Sequence, residues 1–210
     1  EFELFLVRYA NERFLYRLSK TKYADKFILK GGLLFYAWNL SLRRPTRDID
    51  FRGYVSSKSK DLLKIIREVI AEPAPEDGII FDPQSVSVEE TQIDADYQGI
   101  RVKLTALLER SRIPVQIDIG FSDELASKAE TIEYPNILPN LKTVRMKGYP
   151  KEAVVAEKFH AMVRHAEFRR VGHPERESFR LFGTEGSFVS DVSGTRWTDV
   201  AGWSELDLTS

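Results

Sequence analysis

Two aspartates one residue apart head the run Asp48-Ile49-Asp50-Phe51, in which polar and apolar residues alternate. Read as a strand, this alternation sets Asp48 and Asp50 on one face and turns Ile49 and Phe51 into the core. Two adjacent carboxylates repel, and a cation between them relieves the repulsion. Hard divalent ions such as Mg²⁺ take oxygen ligands and often keep substrate phosphates in their shell. A third isolated acid, Asp118, lies far downstream in Val115-Gln116-Ile117-Asp118-Ile119, another short apolar strand. If the two strands pair, three carboxylates share one sheet face and can hold two metals. One metal would activate an attacking hydroxyl and the other would steady a leaving pyrophosphate. Ahead of the acids stands Gly31-Gly32. Glycine lets the backbone approach a phosphate closely, and a helix N-terminus behind it offers free N–H groups. Singly, a Gly-Gly pair is usually a turn and an Asp-x-Asp a solvated strand edge. Their order here makes them a signal.

These residues need elements to hold them. Leu4, Val7, Phe14, Leu15 and Leu18 recur at three- and four-residue spacing with Arg and Glu between them, an amphipathic helix. Residues 20–30 read as a charged connector, and Gly31-Gly32 opens a second helix over residues 33–40, broken at Arg43-Arg44-Pro45. Residues 61–71 carry Leu62, Leu63, Ile65, Ile66, Val69 and Ile70, a helix with a wide buried face. Pro73, Pro75 and Gly78 mark a loop. Strands are predicted over residues 85–93, 99–108 and 113–121, neighbours running antiparallel. A Pro- and Asn-rich stretch and a short extended piece then lead to Tyr149-Pro150, which starts a helix running to about Phe168. Beyond Phe168 no period persists and Gly, Ser and Thr accumulate, so residues 169–210 are expected to form a separate, weakly ordered tail.

The composition narrows the chemistry. The 210 residues are 42% apolar and 30% charged, enough for one sizeable domain with a small appendage. Cysteine is absent, which excludes disulfides and thiolate metal sites and fits a reducing cytoplasm. No apolar run is long enough to cross a bilayer, and no signal peptide is evident. The first residue is Glu1, not Met, so further residues are expected ahead of it. A net charge of −1 leaves nucleic-acid contact to a local patch. Arg43, Arg44, Arg47 and Arg52 cluster near the acids, but a solvated charged loop explains them better. His160 and His165 lie five apart and do not share a helix face, so they make no metal pair.

Several segments together resemble one family. Phe27-Ile28-Leu29-Lys30-Gly31-Gly32, followed by Arg44-Pro45-Thr46-Arg47-Asp48-Ile49-Asp50-Phe51, resembles the first motif of the AbiEii/AbiGii nucleotidyltransferase toxins of type IV toxin–antitoxin systems. Tyr97-Gln98-Gly99-Ile100-Arg101-Val102 is similar to the strand before the second motif, and Gln116-Ile117-Asp118-Ile119-Gly120-Phe121 to that motif itself. Tyr149-Pro150, with Ala156-Glu157-Lys158-Phe159 and Ala161-Met162-Val163, resembles the third. The similarity runs from about Leu6 to about Phe168. It implies an α/β fold of the polymerase-β type, a small mixed sheet flanked by helices. It also implies an NTP substrate, Mg²⁺ or Mn²⁺, and an antitoxin partner. Asp48, Asp50 and Asp118 become expected metal ligands, with Asp118 a base or second-metal ligand. Gly31 and Gly32 become phosphate-binding residues, with Lys30, Thr46 and Arg47 beside them. Lys158 is placed to reach a triphosphate, and a lysine snorkelling to solvent fits that position equally.

The resemblance stops where the family continues with a Lys-Asp-Phe-Tyr-Asp-like motif. Here Arg169-Arg170-Val171-Gly172-His173-Pro174 follows instead, which reads as a truncated or altered end. The expected reaction is attack of an acceptor hydroxyl on the α-phosphorus of an NTP. The acceptor is open among tRNA or other RNA, proteins and small molecules. A degenerate nucleotide- or partner-binding relative and a metal-dependent phosphohydrolase are the alternatives.

Overall fold

The computed structural model describes residues 2–40, 46–94, 97–121 and 128–154, and then residues 177–181, 184–191 and 194–199. The chain divides into two compact units, residues 1–41 with 45–150, and residues 42–44 with 151–210. The expected boundary near Phe168 lies outside the described residues.

The first unit is a mixed sheet flanked by helices, α/β as expected but wider than the small sheet anticipated. Helix α1 (Phe2–Lys20) leads into strand β1 (Phe27–Lys30), a 3₁₀ turn over Gly31–Leu33 and the short helix α2 (Leu34–Ala37). Strand β2 (Ile49–Gly53), helix α3 (Ser59–Ile70) and the strands β3 (Ile79–Asp94), β4 (Tyr97–Leu108) and β5 (Ser111–Gly120) follow. Strands β6 (Glu130–Tyr134) and β7 (Val144–Gly148) complete the unit. The seven strands lie in the order β3-β4-β5-β2-β1-β7-β6. Pairs β2/β5 and β1/β7 are parallel and the others antiparallel.

Alternation builds the core. Along β4 and β5, Ile100, Val102, Leu104, Ile113, Val115, Ile117 and Ile119 are all buried. Ile49 and Phe51 are buried on β2, with the Phe51 ring 5.5 Å from that of Phe27. From α1, Phe14 meets Phe81 of β3 edge to face. Leu62, Ile66 and Val69 bury the inner stripe of α3.

Five sequence expectations need correction. Strand β1 takes the place of the expected connector: Phe27, Ile28 and Leu29 are buried in succession, on both faces, and carry no period. Strand β6 went unread because only Ile132 and Tyr134 point inward. The helix expected over residues 33–40 stops at Ala37, where Asn39 takes a left-handed φ of 55° and ends it ahead of Arg43-Arg44-Pro45, residues outside the described set. Helix α1 was expected to expose its Arg and Glu side chains, yet Glu12, Arg13 and Arg17 are buried. Strand β3 also starts earlier than expected, at Ile79, and crosses a register shift between Asp82 and Ser87, around Pro83.

Of the second unit, residues 151–154 are helical, immediately after Tyr149-Pro150 as expected. The remainder of the expected helix, residues 155–168 with Lys158, lies outside the described residues. Further on, β8 (Glu177–Leu181), β9 (Thr184–Asp191) and β10 (Gly194–Asp199) form a three-stranded antiparallel sheet in the order β10-β9-β8. Sequence periodicity predicted no element there.

Candidate functional site

The sheet register brings together residues that are distant in sequence. Parallel pairing of β2 with β5 sets Asp50 opposite Asp118, with Ile49 opposite Ile117 and Phe51 opposite Ile119. Partners in register point to the same face. The apolar neighbours fill the core, and Asp50 and Asp118 stand half-buried on the other side. Asp48, immediately before β2, is also half-buried and feels the charge of Asp118. Antiparallel pairing of β1 with β2 sets Lys30 opposite Asp50.

The glycines have internal reasons to be glycine. Gly31 has a φ of +67°, and a Cβ there would lie 2.1 Å from Asp50 Oδ2. The left-handed turn thus lets the chain pass directly over the Asp50 carboxylate. The next backbone N–H, that of Gly32, donates to the same carboxylate. A Cβ on Gly32 would meet Thr46 Oγ1 at 2.8 Å. Gly32 therefore packs against Thr46 of this chain, quite apart from any phosphate. The loop before β2 is tied down from α1, where Asn11 Nδ2 donates to the Arg47 carbonyl at 2.8 Å. Arg47 itself is exposed.

The three acids sit in unlike environments. Burial, with Asp118 and Asp48 nearby, pushes the Asp50 carboxyl up to about 6, although Lys30 and the Gly32 N–H pull the other way. Burial and Asp118 likewise raise Asp48, against Arg101 and Arg47. Asp118 is treated differently. Arg101 Nε donates to its Oδ1 and Nη2 to its Oδ2, both at 2.8 Å, and Gln116 Nε2 reaches Oδ2 at 3.3 Å. With the side chains so placed, no three acidic or imidazole groups among the described residues are gathered as a ready cation cluster.

Of the expected site residues, Asp48, Asp50, Asp118, Gly31, Gly32, Lys30 and Thr46 meet around the β1–β2–β5 junction, with Arg47 on the same loop. Lys158 is outside the described residues. Arg101 was not singled out by sequence reasoning, although the signal was there. It falls between the buried Ile100 and Val102, so alternation puts it on the face of the acids, and β4/β5 pairing sets it opposite Asp118.

Two crystal structures from Helicobacter pylori are similar to the chain, each with a TM-score of 0.45. One is JHP933, at 18% identity over 72% of this chain and 56% of that one. The other is a candidate nucleotidyltransferase, at 17% identity over 75% of this chain and 58% of that one. The chain thus spans a little over half the length of either structure. No curated protein matches it. No helix among the described residues is long and apolar enough to cross a membrane. The family model described as "Nucleotidyl transferase AbiEii toxin, Type IV TA system" matches residues 13–174, and the chain belongs to that family.

Proposed function

We propose that this chain transfers a nucleoside monophosphate from an NTP to an acceptor hydroxyl with a divalent cation, Mg²⁺ or Mn²⁺, as cofactor. One observation carries the reading: Asp50 and Asp118 in parallel register, beside Asp48 and under a glycine turn, in a chain of this family. The donor set suits a hard cation, being carboxylate oxygens, with Asp50 raised by burial and further by its acidic neighbours. Asp48 and Asp50 would hold the ion, and Asp118 would join them as second-metal ligand or base. When bound, such an ion neutralises phosphate charge and steadies the departing pyrophosphate.

The chain's own residues supply position and charge. Asp50 is fixed by the Gly32 N–H and the Gly31 turn, so its carboxylate is presented at one angle. Lys30, opposite Asp50, and Arg47, before Asp48, would face the triphosphate, with Thr46 between the glycines and the acids. Lys158 would reach the phosphates from the third motif. The acceptor would be RNA, tRNA being the first to try, and the setting a bacterial type of toxin–antitoxin pair in the cytoplasm with an antitoxin protein as partner.

A second reading, a nucleotide binder without turnover, draws on the Arg101 pair that already engages Asp118. Incubation with Mg²⁺, labelled NTPs and bulk tRNA separates the readings. Label on RNA supports transfer, free phosphate or NMP indicates a phosphohydrolase, and neither product with retained NTP affinity indicates the binder.

A further inference from the structure

Strand β4 carries two cations on the face of the acids, and they do different things. Lys103 pairs with Glu89 of β3 at 2.8 Å, both exposed, a surface pair of an ordinary kind. Arg101 turns to Asp118 and uses both of its oxygens in a planar two-point contact. Backbone pairing sets these residues opposite each other, so the contact is built between fixed strands rather than between loose surface side chains.

Asp118 is the one acid of the three whose two oxygens are both engaged by a cationic side chain. Its side chain is 14% exposed and that of Arg101 is 37% exposed, so a solvated ion reaches the pair without unfolding the sheet. We propose that Arg101 is a positioning residue that holds Asp118 in the cation-free protein and competes with the divalent ion for it. Cation entry releases the guanidinium, which stays on the same face, where the anionic oxygens of a phosphate suit its fork of donors. The inference rests on the acids being a cation site, as proposed above.

The test is Mn²⁺ titration of the full 210-residue chain without nucleotide, followed by the electron paramagnetic resonance signal of free Mn²⁺. Arg101→Gln should bind Mn²⁺ roughly three- to ten-fold more tightly than the parent, the scale set by losing one partly exposed charge pair. Arg101→Lys keeps the charge without the two-point contact and should fall between. It also carries the test if Arg101→Gln loses its circular dichroism signal. Arg101→Gln in an Asp118→Asn background should change Mn²⁺ affinity by less than about two-fold, leaving only the weaker charge effect of Arg101 on Asp48. Equal or weaker binding by both Arg101 variants, with binding still abolished by Asp50→Asn, overturns the proposal and leaves the cation site standing. Absence of Mn²⁺ binding in every form overturns both together.

Discussion

Two groups of buried or half-buried charge sit in the same unit and are built on opposite plans. On α1, Arg17 makes a two-point contact with Asp77 at 2.7 and 3.1 Å and also donates to the Ile79 carbonyl. Asp77 accepts the Ile79 N–H as well, and its carbonyl takes the Tyr9 hydroxyl. Next to them, Glu12 pairs with Arg13 and accepts the Ile137 N–H. Here each acid faces a base, although burial still raises the Glu12 carboxyl and Arg13 Nε is left without a hydrogen-bond partner among the described residues. At the β1–β2–β5 junction Asp48, Asp50 and Asp118 lie near one another without forming a closed cluster, and burial holds Asp50 up to about 6 despite Lys30. A matched network holds a fold together. Under the proposed function, the second group is the one that a cation would complete.

That contrast yields measurable differences, beginning with the largest. Arg17→Met should strand Asp77 in the core and cost about 3–5 kcal/mol in denaturant unfolding, while the molecules that stay folded keep their NTP affinity. Loss of NTP affinity at unchanged stability would place the α1 network in the site and erase the distinction.

Asp50→Asn should do the reverse. Transfer activity should fall on the order of 10²–10³-fold, as for removal of a group that touches the reacting centre. Stability should rise at neutral pH, and the sign follows from linkage. The folded protein holds the Asp50 proton more tightly than the unfolded chain does, with a value near 6 against 3.8. Protonation therefore favours the fold, and this benefit fades as pH climbs from 3.8 towards 6. The Asn variant should be more stable by about 1–3 kcal/mol above pH 6 and equal to the parent below pH 4, read from thermal melts across pH. A uniform loss of stability at every pH would make Asp50 a structural residue.

Gly31→Ala sharpens the boundary between the two plans. A left-handed backbone costs a residue with a Cβ about 1–2 kcal/mol, and the methyl would collide with the Asp50 carboxylate. Both melting temperature and Mn²⁺ affinity should fall. A lowered melting temperature with Mn²⁺ affinity intact would show that Asp50 can move aside. The smallest effect should come from Glu68→Gln, which removes an exposed pair with Lys22 on the surface. Its melting curve should overlay that of the parent.

How much of this was visible in the residues varies by element. Where a long element buries one face and wets the other, the period is printed in the sequence, as at Ile100, Val102 and Leu104 of β4 or along α3. Strand β1, hidden on both faces, and β6, with two inward residues, leave no such print. The buried charges of α1 misled for a related reason, since Arg17 reads as solvent-facing until Asp77, sixty residues away, is brought to it.

The sequence by itself determined that Asp48 and Asp50 flank a core residue, that a glycine pair precedes them, and that Asp118 is a lone acid in an apolar strand, because strand parity and glycine's freedom are local properties. Only the tertiary structure decided that β2 and β5 run parallel in the register that puts Asp50 opposite Asp118. It alone decided, too, that Gly31 must lack a Cβ for the sake of the Asp50 carboxylate, and that Arg101 already occupies both oxygens of Asp118. Strand register and side-chain pairing across a sheet depend on which distant segments share the core, and no short window of residues encodes that choice.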